Sequence, residues 1–111
     1  MDLNSTYSRG INIITVKESR IDASVAIAFK DTMRRLTAGD TRRVILDLAQ
    51  VKFVDSSGLG AIVGAMKHLG AGRKLELAGL TPDVDKVFRL TRMDSVFDIH
   101  YDVQSATRQA G

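Results

Sequence analysis

The chain has 111 residues, a usual length for one compact domain with a single hydrophobic core, so we expect one domain over residues 1–111. Hydrophobic residues make up 44% and charged residues 26%, which excludes a disordered chain, and the absence of cysteine excludes disulfides, thiolate zinc sites and cysteine nucleophiles. The net charge of +3 comes from basic residues that are scattered along the sequence, which predicts a solvated surface instead of a nucleic-acid interface.

The first third of the chain predicts a β-hairpin and then a helix. Strands over Tyr7–Arg9 and Ile11–Lys17 flank Gly10, which suits a tight connection. A helix follows over 23–36, because apolar residues recur there at three- and four-residue steps. These residues are Val25, Ala26, Phe29, Met33 and Leu36. We expect Asp22 to cap this helix at its N-terminus and Gly39 to terminate it.

The middle of the chain predicts strand, helix and strand. Arg43–Leu48 is β-branched and almost continuously apolar, as a strand covered on both faces should be, and it is the candidate central strand. Ser56–Leu69 is helical by its period, and Lys74–Ala78 is a strand. The apolar stripe of the helix consists of Leu59, Ile62, Val63, Met66 and Leu69.

The last third predicts a third helix, a short strand and a short terminal helix. Residues 81–83 supply an N-cap threonine, a proline at the first helical position and an early acid. The apolar face that follows is Val84, Val87, Phe88 and Thr91. We expect a strand over Val96–Tyr101 and a helix over Asp102–Ala110. Together these elements predict a single α/β domain: a mixed, mostly parallel sheet with an N-terminal β-hairpin, three main helices and a short C-terminal helix.

The segment F-V-D-S-S-G-L-G, residues 53–60, is the candidate functional site because it joins a strand to a helix N-terminus. With Asp55 as N-cap, Val54 and Leu59 form a hydrophobic staple, and Ser56 lies in the first turn with its hydroxyl outward. A helix N-terminus favours added negative charge, so a phosphate on Ser56 can be accommodated there. Gly58 and Gly60 remove bulk around that hydroxyl, which indicates that another group approaches closely.

The face opposite the apolar stripe of the same helix is built from small residues. We interpret this face as a docking surface, because a solvated helix usually carries long charged side chains there. It is formed by Ser57, Ala61, Gly64, Ala65 and His68. Two alternatives stay open: the helix is sandwiched inside its own fold, or the alanines serve helix propensity.

The D-S-S-G-L-G run, the preceding V-I-L-D-L strand and the upstream I-D-A resemble the STAS domain of anti-sigma factor antagonists over nearly the whole chain. The resemblance implies a binding protein and no enzyme, with Ser56 as phosphoacceptor, Asp55 as its flanking acid and Asp22 as a second acid nearby. It implies two partners: an anti-sigma factor with serine-kinase activity, which the unphosphorylated form binds to release a sigma factor, and a PP2C-type phosphatase. The sequence departs from the family at Ser19, where a glycine is usual.

Ser57 competes with Ser56 for the phosphate, and the resemblance favours Ser56. Two enzyme alternatives are weak: the glycines of residues 58–64 miss the dinucleotide pattern, and a hydrolase would need a base. His68 lies roughly 18 Å along the helix from Ser56, while His100 fits an ordinary edge residue. Neither spacing favours a metal site, and we expect no cofactor.

A regulatory subunit of a transport or other signalling complex is the alternative function. That role needs a separate membrane partner, because no apolar run approaches the roughly 18 residues of a membrane span. The N-terminal residues also lack the basic and apolar blocks of a signal peptide. We therefore expect a cytoplasmic protein.

Overall fold

A computed structural model describes residues 1–108. Strands and helices alternate along most of this range. The strands are β1 (Leu3–Ser8), β2 (Ile11–Val16), β3 (Arg20–Ile21), β4 (Arg43–Asp47), β5 (Phe53–Val54), β6 (Lys74–Ala78) and β7 (Ile99–His100). The helices are α1 (Ala26–Leu36), α2 (Ser56–Leu69), α3 (Pro82–Leu90) and α4 (Val103–Arg108), with a 3-10 helix over Met93–Ser95.

Within residues 1–108, five strands form the main sheet in the order β1-β2-β4-β6-β7. β1 and β2 are antiparallel, and every other neighbouring pair in the sheet is parallel. The predicted α/β domain, with a mixed and mostly parallel sheet and an N-terminal hairpin, is therefore confirmed. Strand β4 is central, and its Val44, Ile45 and Leu46 are fully buried, as a strand covered on both faces should be.

The hairpin turn uses Arg9 and Gly10, which both have positive φ, 53° and 75°. This two-residue turn matches the right-handed twist of the strands that it joins. β1 begins at Leu3, earlier than the predicted Tyr7, because this edge strand buries little on either face and so carries no apolar pattern to read.

The main core lies between one face of the sheet and helices α1, α2 and α3. Its largest buried side chains include Phe29, Ile62 and Phe88, one from each of these helices. A smaller apolar cluster on the other face of the sheet is covered by Ala106 of α4. The sheet is thus enclosed by helices on both sides, which leaves function to the loops at its two ends.

The predicted N-cap of α1, Asp22, and its predicted terminator, Gly39, are both wrong. The helix begins at Ala26 after Val25, because Asp22 is used in a turn of its own: its carboxylate accepts hydrogen bonds from the amide and hydroxyl of Ser24. The helix ends at Leu36, before Gly39, where the Thr37 hydroxyl donates to the Met33 carbonyl. The predicted boundaries of α2 and β6 are confirmed.

The C-terminal strand is shorter than predicted. Only Ile99–His100 pairs with β6, because residues 93–95 form a 3-10 helix and Phe97 is drawn into the core against Phe88. α4 ends at Arg108, and the last part of the predicted helix, residues 109–110, lies outside the described residues.

A buried ion cluster joins three neighbouring elements on the second face of the sheet. The Glu76 carboxylate accepts two hydrogen bonds from Arg43, both of 2.7 Å, and one of 2.8 Å from Nε2 of His100. His100 is therefore buried against an acid and is no ordinary edge residue, although β7 is an edge strand. Burial raises the pKa of Glu76, but the bonds from Arg43 and His100 outweigh it and hold that pKa below its usual 4.5.

Glu76→Gln is expected to lower the free energy of unfolding by about 3 kcal/mol, because it removes the buried negative charge to which Arg43 and His100 are bonded. The lowered pKa stabilises the fold above the ordinary value of 4.5, and this contribution disappears as the pH falls through the folded-state pKa. In urea titrations, the difference in free energy of unfolding between wild type and Glu76→Gln should therefore become smaller as the pH falls. Asp31→Asn, in an exposed pair with Arg34, is the control and should cost less than about 1 kcal/mol. Equal losses in both variants would contradict this account.

Candidate functional site

The N-terminus of α2 is held by Asp55, as predicted. Its Oδ1 accepts a 2.8 Å hydrogen bond from the amide of Gly58, and its carbonyl accepts one from the amide of Leu59. The cap fixes the first turn of the helix and thereby the orientation of Ser56 and Ser57. Val54 is buried and Leu59 packs against the same core cluster, in agreement with the predicted staple.

Asp55 also binds the loop that precedes α1. Its Oδ2 accepts a hydrogen bond of 3.2 Å from the amide of Ala23, and its own amide donates to the Ile21 carbonyl. Next to Ala23, Asp22 is held by Ser24 and Arg20, whose hydrogen bonds keep the pKa of its carboxyl below its usual value. The two predicted acids, Asp22 and Asp55, thus belong to one assembly.

A two-stranded parallel pair of β3 and β5 brings the two segments together. At the start of this strand pair, the Ser19 carbonyl accepts hydrogen bonds from the amides of Lys52 and Phe53. Ser19 does not adopt the left-handed backbone conformation that favours glycine, so a serine fits at the position where the family usually has glycine. The pairing of residues 20–21 with 53–54 was absent from the sequence prediction, because two-residue strands carry no periodicity.

Gly58 shows what approaches the helix closely. A Cβ placed at Gly58 would lie 1.9 Å from the carbonyl oxygen of Ile21, which no side chain can accept. The approaching group is thus the chain's own β3. Gly60 has nothing within 4 Å of such a Cβ, so no other part of the described chain approaches the helix there.

Ser56 and Ser57 are both exposed at the first two helical positions. Neither hydroxyl has a hydrogen-bond partner within residues 1–108. First-turn amides of a helix have no intrahelical acceptor, and the helix dipole adds a partial positive charge there. The hydroxyls therefore stand in solvent beside a site that favours an anion.

The predicted small-residue docking face is wrong for its central members. Ala61 and Ala65 are 2% and 7% exposed, because α1 packs across them, and Gly64 lies against the side chain of Lys30. The alternative of a helix sandwiched in its own fold is the correct one here, since small residues let α1 and α2 approach. Ser57 and His68 remain exposed at the two ends of this face.

Two exposed apolar side chains, on the segments that Asp55 joins, were missed by the sequence reasoning. Ile27, in the first turn of α1, is 73% exposed. Phe53, two residues before Asp55, is 39% exposed. The guanidinium of Arg20 lies over its ring, 4.3 Å from the ring centroid. Ile27 could have been noticed because it falls outside the apolar stripe of α1, whereas the contact of Arg20 with Phe53 depends on the β3–β5 pairing.

Residues 1–108 contain no cluster of three or more metal-ligating side chains. None of the helices described for this chain has the length and apolar character that crossing a bilayer requires.

The chain resembles known proteins over most of its length. The STAS domain family profile matches residues 3–106. The anti-sigma-B factor antagonist of Listeria monocytogenes is 31% identical over 80 residues, which cover 71% of this chain and 70% of that protein.

Solved structures agree in fold. An anti-sigma-factor antagonist (STAS) domain protein from Planctomyces limnophilus has a TM-score of 0.86 at 22% identity, covering 96% of this chain and 95% of that one. The phosphorylated form of SpoIIAA, a Bacillus cell fate determinant, has a TM-score of 0.68 at 18% identity, covering 96% of both chains. Family profile, sequence relatives and fold converge, and the chain belongs to the STAS domain family as a member of its anti-sigma factor antagonists.

Proposed function

We propose that this protein is a phosphorylation-controlled antagonist of an anti-sigma factor. The unphosphorylated form binds an anti-sigma factor with serine-kinase activity and thereby releases a sigma factor. Phosphorylation of Ser56 ends that binding, and a PP2C-type phosphatase restores it. The chain itself contributes binding and no catalysis, and it acts in the cytoplasm.

The observation that carries the proposal is the exposed and unbonded hydroxyl of Ser56 on a rigid support. Asp55 fixes the turn through Gly58 and Ala23, so a phosphate on Ser56 changes the surface charge without displacing the backbone. The nearby Asp55 carboxylate disfavours the added charge, and the helix N-terminus offsets this. A relative with the same fold has been determined in a phosphorylated form, which supports the proposal.

The exposed surface around Ser56 defines the part that a partner would contact. We assign to it the exposed Ser57, Phe53 and Ile27 and the partly buried Asp22. Gly58, Ala61 and Ala65 are buried, and we give them a supporting role under this surface. Exposed apolar groups beside a serine suit a switch, because a partner that covers them must also desolvate the phosphate.

Phosphopeptide mapping distinguishes Ser56 from Ser57. Chain isolated from its native cells with phosphatases inhibited is expected to carry phosphate on Ser56, because that serine follows the N-cap directly and is favoured by the family resemblance. Ser57→Ala, the matched control, should still be phosphorylated, and Ser56→Ala should not. Phosphate found on Ser57 in both wild type and Ser56→Ala would reverse the assignment.

A further inference from the structure

A large cavity lies far from Ser56, at the opposite end of the sheet. It has a volume of about 990 Å³, at the upper end of the range of small-molecule sites. Its walls come from the starts of β2, β4 and β6 and from the end of α4. Strands β4 and β6 are each five residues long. Roughly 16 Å of sheet therefore separates this cavity from the loops at the other end.

The cavity gathers cations that are scattered in the sequence. Six basic side chains line it, against two acids. Both acids form ion pairs with neighbouring cations: Glu76 pairs with Arg43, and Asp98 pairs with Lys74. The four other guanidinium groups have no carboxylate at ion-pair distance within residues 1–108; they belong to Arg9, Arg42, Arg73 and Arg108. The cavity therefore has a strong positive potential.

Arg73 supplies a second and independent observation. Its Nε donates a 2.9 Å hydrogen bond to the Thr41 carbonyl, which fixes the guanidinium at the cavity wall. Its Nη2 is buried and has no acceptor among the described residues. A buried charged donor without an acceptor is costly, and an anion bound in the cavity would offset part of this cost through its charge without contacting Nη2.

The spacing of the cations selects the kind of anion. β2, β4 and β6 are neighbours in the sheet, and the residues before them carry Arg9, Arg42 and Arg73. Adjacent strands lie about 4.8 Å apart, so these three positions span roughly 10 Å. A row of this length fits an extended anion with several phosphate groups better than a single phosphate. None of the lining residues is aromatic, so the site offers no platform for stacked bases.

We propose that this cavity binds a small soluble polyphosphate-bearing anion through Arg9, Arg42, Arg73 and Arg108. Arg43 and Lys74 are held by their acids and shape the floor, while the four other guanidiniums face the ligand oxygens. The site is independent of the proposed switch at Ser56, so either proposal can fail without the other.

Titration calorimetry with inorganic tripolyphosphate tests the site on the full chain. Arg42→Glu is expected to weaken binding at least tenfold, since it replaces an attractive charge at the middle of the row with a repulsive one. Lys86→Glu is the matched control: Lys86 is an exposed cation on α3 outside the cavity, and its reversal should change the dissociation constant less than twofold. Both positions are exposed, so both variants should fold, which circular dichroism checks.

Amide chemical shifts locate the bound anion. Tripolyphosphate should move the signals of residues 9–11, 42–43 and 72–74 and leave those of residues 55–58 unchanged. Shifts confined to 55–58 would overturn the proposal, as would equal weakening in Arg42→Glu and Lys86→Glu. No detectable binding of tripolyphosphate would also overturn it, and so would binding only to phosphatidylglycerol vesicles or to a single-stranded oligonucleotide.

Discussion

Ser56→Asp is expected to weaken binding to the cognate anti-sigma partner by about tenfold to a thousandfold, equivalent to about 1.4–4 kcal/mol. The added carboxylate places a charge where the partner must remove water, and burying an uncompensated charge is costly. A phosphate should act more strongly, because it carries about 1.5 to 2 negative charges at neutral pH. Titration calorimetry with the purified partner measures the change.

Ser56→Asn is the control that separates charge from size. Asparagine has the shape of aspartate without its charge, so this variant should bind much more tightly than Ser56→Asp. Loss of fold does not explain the difference, since an acid in the first turn of a helix stabilises it by about 0.3–1 kcal/mol. Equal affinity of wild type and Ser56→Asp for the partner would contradict the proposed switch.

Gly58→Ala should reduce the free energy of unfolding by at least about 2 kcal/mol, despite alanine's advantage of up to about 1 kcal/mol in helix propensity. The reason is steric: the new Cβ would sit 1.9 Å from the Ile21 carbonyl oxygen, and backbone on both sides must move to relieve the clash. Urea unfolding followed by circular dichroism gives the change.

Gly60→Ala is the matched control, two residues further along the same helix. Its Cβ would meet nothing within 4 Å, so the propensity gain should appear alone and raise stability by about 0.5–1 kcal/mol. The two substitutions are therefore expected to have opposite signs. Destabilisation of similar size at both positions would show that the close contact of Gly58 with β3 has no special cost.

The regular part of the fold was predictable because its signals are local. Ser56–Leu69 carries both an apolar period and an N-cap at Asp55, and both are found as predicted. β4 and β6 are short, buried and apolar, and their pairing follows from alternation with helices. Asp22 misled because an aspartate before a helical pattern can cap the helix or close a preceding turn, and here it closes a turn with Ser24.

The site was only half predictable, because part of it depends on long-range packing. The exposure of Ser56 follows from its place after the N-cap, so sequence reasoning reached it. The helical wheel gives the small side of α2 correctly but cannot tell a partner protein from α1, and Ala61 and Ala65 are covered by α1. The basic cavity was missed for the same reason. Arg9, Arg42 and Arg73 are each separated by more than 30 residues of chain, and the order of β2, β4 and β6 in the sheet brings them together.

The two carboxylate oxygens of Asp55 hold two segments that lie far apart in the sequence. The amides of Ala23 and Gly58 are 35 positions apart, yet both donate to this one side chain. Rotation of that carboxylate would break both hydrogen bonds together, so the loop before α1 and the first turn of α2 share one side-chain support. A displacement of the first turn of α2 at Ser56 is therefore transmitted to the entrance of α1 through this side chain.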